Sequence, residues 1–306
     1  MNIQSIDLTL LYYDNPEILK HWFHRLSFYS DFIDYLNRIN VIIADSGSPL
    51  DRVGESLEIV NQQPERIKSR ITYARAETEE IRKNVPEGVD ARPACHAYNM
   101  AQLDISKADL IIMSVIGHIF TPKYFTGHIA EHIKNSNACV LPKRFDLDCN
   151  DYHTNYWFKS FEEVIKFPLI PSGGWPDMSV RRRYLQEIGG WDENYTFISP
   201  QDMDIGSRLT GKVDNGQSSE ILFTFKEKFN NLGLEFIQPF RENFFSLTCN
   251  TYGNHRPKND PKRLKGHEIG TKYYLENWGK IIRNENRKPI DYKILDFRKK
   301  MDYVRI

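Results

Sequence analysis

Two short apolar runs place the strongest constraint on how this chain folds. Asn40–Asp45 (NVIIAD) and Ala108–Val115 (ADLIIMSV) carry apolar residues at consecutive positions, and the first is closed by the turn-forming Ser46–Pro49. Runs of this kind are typical of strands that are buried on both faces. Ile6–Tyr13 is a third strand candidate, and helix-like segments separate the three. We therefore predict an α/β fold with a mainly parallel sheet and helices on both faces.

Charge is balanced over the whole chain but not along it. The 306 residues include 41 Lys plus Arg and 41 Asp plus Glu. Residues 256–306 hold 15 basic and 7 acidic residues, which leaves 26 and 34 in residues 1–255. We predict a main domain, 1–255, and a basic C-terminal helical extension, 256–306, that packs on it. The zero net charge and the acids mixed into the tail argue against a nucleic-acid partner.

Targeting and cysteine patterns point to a cytoplasmic protein. The N-terminal residues lack the basic start and small-residue cleavage site of a signal peptide, and no apolar stretch approaches the roughly 18 to 20 residues of a transmembrane helix. No two cysteines form a CxxC pair, so no zinc or redox motif is indicated. We expect reduced thiols at Cys95, Cys139, Cys149 and Cys249.

The predicted strands bring polar and aromatic residues to one edge of the sheet. In doubly wound sheets, ligands bind outside the carboxyl ends of the strands. That rule selects Tyr12 and Tyr13, Asp45 with its neighbour Ser46, and residues 114–118. The Asp45 carboxylate is a candidate acceptor for a nucleobase or ribose, and a tyrosine ring is a candidate partner for a base. The alternative, in which Asp45 caps its turn and the tyrosines are core residues, stays open.

The centre of the chain carries the densest motif. Residues 188–195 read IGGWDENY, and residues 199–209 read SPQDMDIGSRL. An apolar stripe through Ile205 and Leu209 predicts a helix that leaves Asp202 at its N-terminal end.

This motif resembles the acceptor-site segment of family 2 and related glycosyltransferases of the GT-A fold, written GGfDE…gEDxDlxxRl. Further segments are similar to other elements of that family in the same order, namely residues 8–19, 41–49, 94–125 and 274–279. The resemblance implies a GT-A (Rossmann-like) fold. It also implies an enzyme that moves a sugar, with inversion, from a nucleotide-sugar such as a UDP- or GDP-sugar to a hydroxyl of a glycan or small acceptor.

We compare two other functions with this one. The alternative is a catalytically inactive nucleotide-sugar- or glycan-binding protein derived from the same fold. The other is a nucleotidyltransferase, which the sequence argues against: such an enzyme needs a glycine-rich, lysine-bearing loop directly after the first strand, and YYDNPEIL has no glycine there.

The resemblance also implies roles for individual residues. Asp202 is the candidate base that takes the proton of the acceptor hydroxyl. The candidate donor-nucleotide contacts are Tyr12, Tyr13, Asp45, Ser46, Asn99, Ser114, Val115 and Gly117. The candidate acceptor and sugar contacts are Gly174, Trp175, Asp177, Trp191, Asp192 and Asp204.

The chain departs from the family at its metal-binding motif. The family's DxD carboxylates, which hold Mg²⁺ or Mn²⁺ against the diphosphate, align with residues 115–117, where no Asp or Glu occurs. Three interpretations remain open: a weak Mn²⁺ site made by His118 and His255, catalysis without metal, or lost activity. In the second, basic side chains face the diphosphate, and the candidates are Arg181, Arg256, Lys258 and Lys262.

Overall fold

Parallel strands form the centre of the molecule, as the apolar runs predicted. The computed structural model describes residues 3–27, 38–91, 93–147, 159–172, 177–196, 200–214, 221–224, 231–239, 244–249, 260–277 and 291–298. Strand β1 (Ile6–Tyr12) pairs in parallel with β2 (Asn40–Asp45), which pairs in parallel with β3 (Ile71–Ala76). On its other side, β1 pairs in parallel with β4 (Leu110–Val115). The three strands expected from sequence are therefore adjacent.

Further strands extend this sheet and build two smaller ones. They are β5 (His118–Phe120), β6 (Ala138–Val140), β7 (Lys143–Leu147), β8 (Leu169–Ser172), β9 (Ser179–Arg181), β10 (Lys212–Asp214), β11 (Ile221–Thr224), β12 (Glu235–Ile237), β13 (Phe245–Cys249) and β14 (Tyr292–Leu295). The main sheet has the order β12-β6-β9-β4-β1-β2-β3-β14, in which β9 and β14 run antiparallel to their neighbours. A second sheet has the order β5-β13-β7-β8, and β10 pairs with β11.

Helices fill the connections between the strands. They are α1 (Pro16–Ser27), α2 (Leu50–Asn61), α3 (Glu65–Lys68), α4 (Glu79–Lys83), α5 (Ala94–Asn99), α6 (Tyr124–Lys134), α7 (Phe161–Val164), α8 (Arg182–Glu187), α9 (Gln201–Thr210) and α10 (Pro261–Asn277). Helix α5 continues as one π-helical segment, Met100–Ile105. At the start of α1, the Asn15 side chain accepts a hydrogen bond from the backbone of Ile18 (3.0 Å), which caps the helix.

Consecutive residues of β4 enter two separate cores. Leu110 and Ile112 pack with apolar residues of α1 and α2, whereas Ile111 and Met113 pack with those of α8 and α9. Both faces of the strand are therefore covered by helices. This explains why the sequence shows a continuous apolar run rather than an alternating one.

The described part of the basic tail contributes to the main sheet as well as to a helix. Tyr274 of α10 is buried in the core that also contains α9. Strand β14 pairs with β3 at the edge of the main sheet, with Tyr292 opposite Ala76. The tail thus includes a strand that the sequence did not predict, while the division at residue 255 stays a prediction drawn from composition.

Among the helices that the structure describes, none combines the length and the apolar character needed to cross a bilayer.

Candidate active site

The carboxyl ends of three parallel strands meet at one edge of the main sheet. We call this edge the rim, and it consists of residues 12–14, 45–48 and 114–118. Tyr12 is in register with Asp45, and Leu11 is in register with Val115. The backbone N–H of Ser46 also donates to the carbonyl of Tyr12 (3.0 Å). The segments predicted to bind a donor nucleotide are therefore neighbours.

The Asp45 carboxylate shapes the loop that follows β2. Its Oδ1 accepts hydrogen bonds from the N–H groups of Gly47 (3.1 Å) and Ser48 (2.8 Å) and from the Ser48 hydroxyl (2.7 Å). Its Oδ2 accepts from the Tyr73 hydroxyl (2.8 Å). Burial raises the pKa of Asp45, although these hydrogen bonds act in the opposite direction. The carboxylate therefore holds the loop, and its contact with a nucleotide stays a prediction.

Of the two rim tyrosines, Tyr13 is the exposed one. Tyr12 is buried and its hydroxyl is hydrogen-bonded to Ser56 (2.6 Å), whereas Tyr13 is 43% exposed. The Arg82 guanidinium lies 4.4 Å from the centre of the Tyr13 ring and donates to the carbonyl of Ser46 (2.8 Å). Tyr13 is therefore the ring that a ligand in the rim can reach.

At the end of β4, a buried carboxylate collects hydrogen-bond donors from separate elements. Asp177 Oδ1 accepts from Ser114 Oγ (2.5 Å) and Tyr124 Oη (3.3 Å), and Oδ2 accepts from Ser246 Oγ (2.6 Å). His118 Nδ1 lies 2.7 Å from Oδ1 and 2.6 Å from Oδ2. Because an ionised carboxylate only accepts, Nδ1 of His118 carries the proton. We call these five residues the Asp177 cluster.

The cluster favours the ionised form of its carboxylate. Burial alone would raise the pKa of Asp177, but His118 and the serine hydroxyls outweigh it and lower the pKa to about 2. The sequence predicts a sugar hydroxyl as the partner of Asp177. The structure instead gives its oxygens four protein donors, none of which is adjacent to it in sequence.

Asn99, at the end of α5, connects this helix to the glycine turn of the central motif. Its Oδ1 accepts from the N–H of Trp191 (2.7 Å), and its Nδ2 donates to the Trp191 carbonyl (2.9 Å) and to Glu193 (2.7 Å). Gly190 has φ +77°, and a Cβ there would overlap Asn99 Oδ1 and lie 2.7 Å from Leu103 Cδ1. Asn99 is thus a positioning residue for this turn in the described conformation.

Arg208 ties the same turn to helix α9, a role that the sequence analysis missed. Its guanidinium donates to the carbonyls of Ile188 (3.3 Å) and Gly190 (2.8 Å). Its other nitrogens contact Asp204 Oδ2 at 2.9 and 2.7 Å. Asp204, predicted as an acceptor contact, is partly buried and engaged in this ion pair. The spacing of four residues between the two charges was the available signal, because it places them on one helix face.

Asp202 lies in the first turn of α9 and is partly buried, at the helix end where the sequence placed it. Tyr98 contacts the rim: its hydroxyl donates to the Ser114 carbonyl (3.1 Å). Burial, together with negative groups that include Asp177 and Asp202, raises the pKa of the Tyr98 phenol well above its usual value. The candidate base and the end of β4 therefore share a neighbour.

Trp191 and Asp192 support the motif from inside the protein. The Trp191 ring is buried and stacks on Tyr98 with 4.6 Å between the ring centres, and its N–H donates to Gln102 (2.9 Å). Asp192 accepts hydrogen bonds from the side chain of Asn194 (2.7 Å) and from the hydroxyl of Tyr273 in α10 (2.8 Å). Their predicted sugar contacts stay predictions, since both side chains are covered in this conformation.

The structure separates the predicted basic residues. Arg181 pairs with Leu110, which is the residue of β4 farthest from Val115. Five residues of strand span about 16 Å, so Arg181 lies away from the rim. Lys262 is exposed in the first turn of α10. The other predicted contacts lie outside the described residues, and they are Gly174, Trp175, His255, Arg256 and Lys258.

Solved structures with a similar fold are glycosyltransferases. A mannosyltransferase from Pyrobaculum calidifontis, solved with GDP-Man and Mn²⁺, gives a TM-score of 0.53 at 10% identity over 93% of this chain and 71% of its own. GalNAc-T7, solved with UDP, GalNAc and Mn²⁺, gives 0.44 at 11% identity, and S. aureus TarS gives 0.41 at 11%. These two comparisons cover 67% and 65% of this chain.

This chain spans only 40% of the GalNAc-T7 chain and 32% of the TarS chain. No family model matches the sequence, and no curated protein matches it. The comparison with the mannosyltransferase establishes the fold: this is a GT-A fold, with its large, mostly parallel sheet and flanking helices.

The residues described at the end of β4 do not fit a Mg²⁺ or Mn²⁺ ion. Both oxygens of Asp177 already accept protein hydrogen bonds, and His118 directs Nδ1 at that carboxylate. Within the described parts of the chain, no group of three or more His, Cys, Asp or Glu residues is arranged to hold a metal. Hard cations of this kind need several oxygen ligands.

Loss of the Asp177 charge should destabilise the fold in a pH-dependent way. We expect Asp177→Asn to lower the free energy of unfolding by about 3 kcal/mol at pH 7, since it leaves buried donors poorly paired. The folded-state pKa of about 2 lies below the ordinary 3.8, so the stabilisation is present above pH 4 and is lost as the pH falls toward 2. Urea unfolding of both proteins at pH 7, 5, 4 and 3 measures this, and an equal difference at every pH would contradict it.

Two glycines of the site should respond differently to one added methyl group. Gly190→Ala should cost about 2 to 4 kcal/mol, because it combines a positive φ with overlap of Asn99. Gly117→Ala is the matched control: its Cβ would meet Ile18 Cδ1 at 4.0 Å, and stability should change by less than about 1 kcal/mol. Equal thermal stability of the two variants would show that the turn is not held as described.

Proposed function

We propose that this chain is a glycosyltransferase that moves a sugar, with inversion, from a UDP- or GDP-sugar to a hydroxyl of a glycan or small acceptor. The observation that carries the proposal is the juxtaposition of two sites on a GT-A fold. The rim brings together the predicted donor-binding segments, and Tyr98 connects the end of β4 to the central motif, because it donates to the Ser114 carbonyl and stacks on Trp191.

The proposed mechanism uses Asp202 as the general base. Its carboxylate takes the proton of the acceptor hydroxyl while that oxygen attacks the anomeric carbon, and the nucleoside diphosphate departs from the opposite face. Such a reaction needs the base fixed in position. The hydrogen bonds of Arg208 and Asn99 provide this, because they fasten α9 and the Gly190 turn to each other and to α5.

The donor is proposed to bind along the rim. The exposed Tyr13 ring beside Arg82 is suited to a nucleobase, and the loop of Ser46 lies next to it. The acceptor is proposed to lie against the α9 side, near Asp202, and Gly174 and Trp175 stay candidate contacts from the sequence.

The basic tail is proposed to meet the negative charge of the leaving diphosphate, with Arg256, Lys258 and Lys262 as the candidate residues. Its support is the position of α10. Lys265, one turn beyond the start of that helix, donates to the carbonyl of Glu87 (2.8 Å) in the segment that follows α4, which carries Arg82.

Neutralising the base should abolish transfer while leaving the donor bound. We expect Asp202→Asn to lower kcat by about 100- to 10,000-fold, the usual contribution of a positioned base. Asp51→Asn is the matched control, since Asp51 is also an aspartate in the first turn of a helix. Transfer from a panel of nucleotide-sugars measures the rate, and calorimetry with UDP and GDP measures binding.

Two outcomes would contradict this proposal. Wild-type transfer rates in Asp202→Asn would remove Asp202 from the mechanism. A wild-type chain that binds nucleotide-sugars but neither transfers nor hydrolyses them would instead support the alternative, a binding protein of the same fold.

Removing one positive charge from the start of α10 should weaken the binding of the nucleotide-sugar donor. We expect Lys262→Ala to raise the KM for the nucleotide-sugar by about fivefold, since one partly screened charge contributes up to ~1 kcal/mol. Lys272→Ala, at an exposed position farther along the same helix, should leave KM unchanged. Equal KM values for the two variants would exclude Lys262 as a diphosphate contact.

A further inference from the structure

The end of β4 carries no carboxylate, although one of its positions accepts a side-chain β-carbon. Residues 114–118 read Ser-Val-Ile-Gly-His. At Gly117 an added Cβ would meet Ile18 Cδ1 at an ordinary 4.0 Å. A β-carbon is therefore sterically acceptable at this position of the rim.

The Asp177 carboxylate, which does reach this strand end, is bound by the protein itself. Its buried oxygens accept from the hydroxyls of Ser114 and Ser246 and from Nδ1 of His118. A cation at this carboxylate would displace these donors. Each buried hydroxyl left without an acceptor costs about 1 to 3 kcal/mol in general. The cluster therefore competes with metal binding.

The buried carboxylate of the rim itself, Asp45, is also hydrogen-bonded on both oxygens. It accepts from two backbone N–H groups of its own loop, from Ser48 Oγ and from Tyr73 Oη. Releasing these contacts would undo the loop that follows β2. Neither Asp45 nor Asp177 thus offers an oxygen that a divalent cation can take without breaking these hydrogen bonds.

From these contacts we infer that the rim binds the nucleoside diphosphate of its donor without a divalent cation. The inference rests on the proposed function, because it concerns the same donor site. A divalent cation that bridges a diphosphate to a protein needs protein oxygens on its other side. Among the described residues, the Asp45 and Asp177 oxygens are hydrogen-bonded to the protein and Asp14 Oδ1 is paired with Arg52 (3.1 Å), so the phosphates are met by the chain's own donors and basic side chains.

The direct test measures nucleotide affinity with and without cation. Calorimetry titrates UDP and GDP into the full chain, once in EDTA and once in Mn²⁺. The inference predicts that the Kd of the nucleotide that binds agrees within about twofold in the two buffers. Binding that requires Mn²⁺, or that tightens more than about tenfold with it, would overturn the inference while leaving the donor site of the proposed function intact. Absence of binding in both buffers would overturn the inference and the donor site together.

A gain-of-function variant tests whether the lack of available carboxylates at the end of β4 is the reason for cation-independent binding. Val115→Asp combined with Gly117→Asp installs the missing carboxylates at the strand end, and the isosteric pair Val115→Asn with Gly117→Asn is the uncharged control. We expect Mn²⁺ to tighten nucleotide binding about tenfold or more in the aspartate variant only. Gly117→Asp alone is the fallback, because an added Cβ at this position makes only an ordinary contact of 4.0 Å. If folded aspartate variants show no response to Mn²⁺, this strand end is not where a cation would bind, and the inference fails.

Discussion

The buried charge of Asp177 is the constraint on which the rest of the site depends. An ionised carboxylate removed from water is stable only when donors surround it. Here Ser114, His118, Tyr124 and Ser246 converge on it from β4, β5, α6 and β13. Because β4 belongs to the main sheet while β5 and β13 belong to the second sheet, the carboxylate fixes the two sheets against each other at the rim.

A second hydrogen-bond network positions the helix that contains the candidate base. Asn99 holds the Gly190 turn from one side, and Arg208 holds it from the other while paired with Asp204. Tyr98 joins the two networks, since it stacks on Trp191 and donates to Ser114. The result is a preorganised site, in which the base and the strand end are positioned before any ligand arrives.

The sequence predicted what depends on local pattern. Continuous apolar runs predicted the parallel strands β2 and β4, and an apolar stripe through Ile205 placed Asp202 at a helix start. It did not predict the Asp177 cluster, because its members meet only in the tertiary structure. Pairing of β13 with β5 brings Ser246 to the strand that holds His118, and both then reach Asp177. The prediction that Asp204 faces a ligand missed a tertiary contact in the same way. Asp204 pairs with Arg208, and Arg208 is held by the Gly190 turn packed against the helix, which the spacing of residues in the sequence does not show.

A crystal structure of the chain grown with UDP or GDP in the absence of divalent cation tests the central claim most directly. We predict that the nucleobase lies against Tyr13 and the Asp45–Ser48 loop, with the diphosphate directed at the end of β4. We also predict that the hydrogen bonds of Asp177 stay intact. A nucleotide bound at another edge of the sheet, or one that opens the Asp177 cluster to reach that carboxylate through a metal, would contradict it.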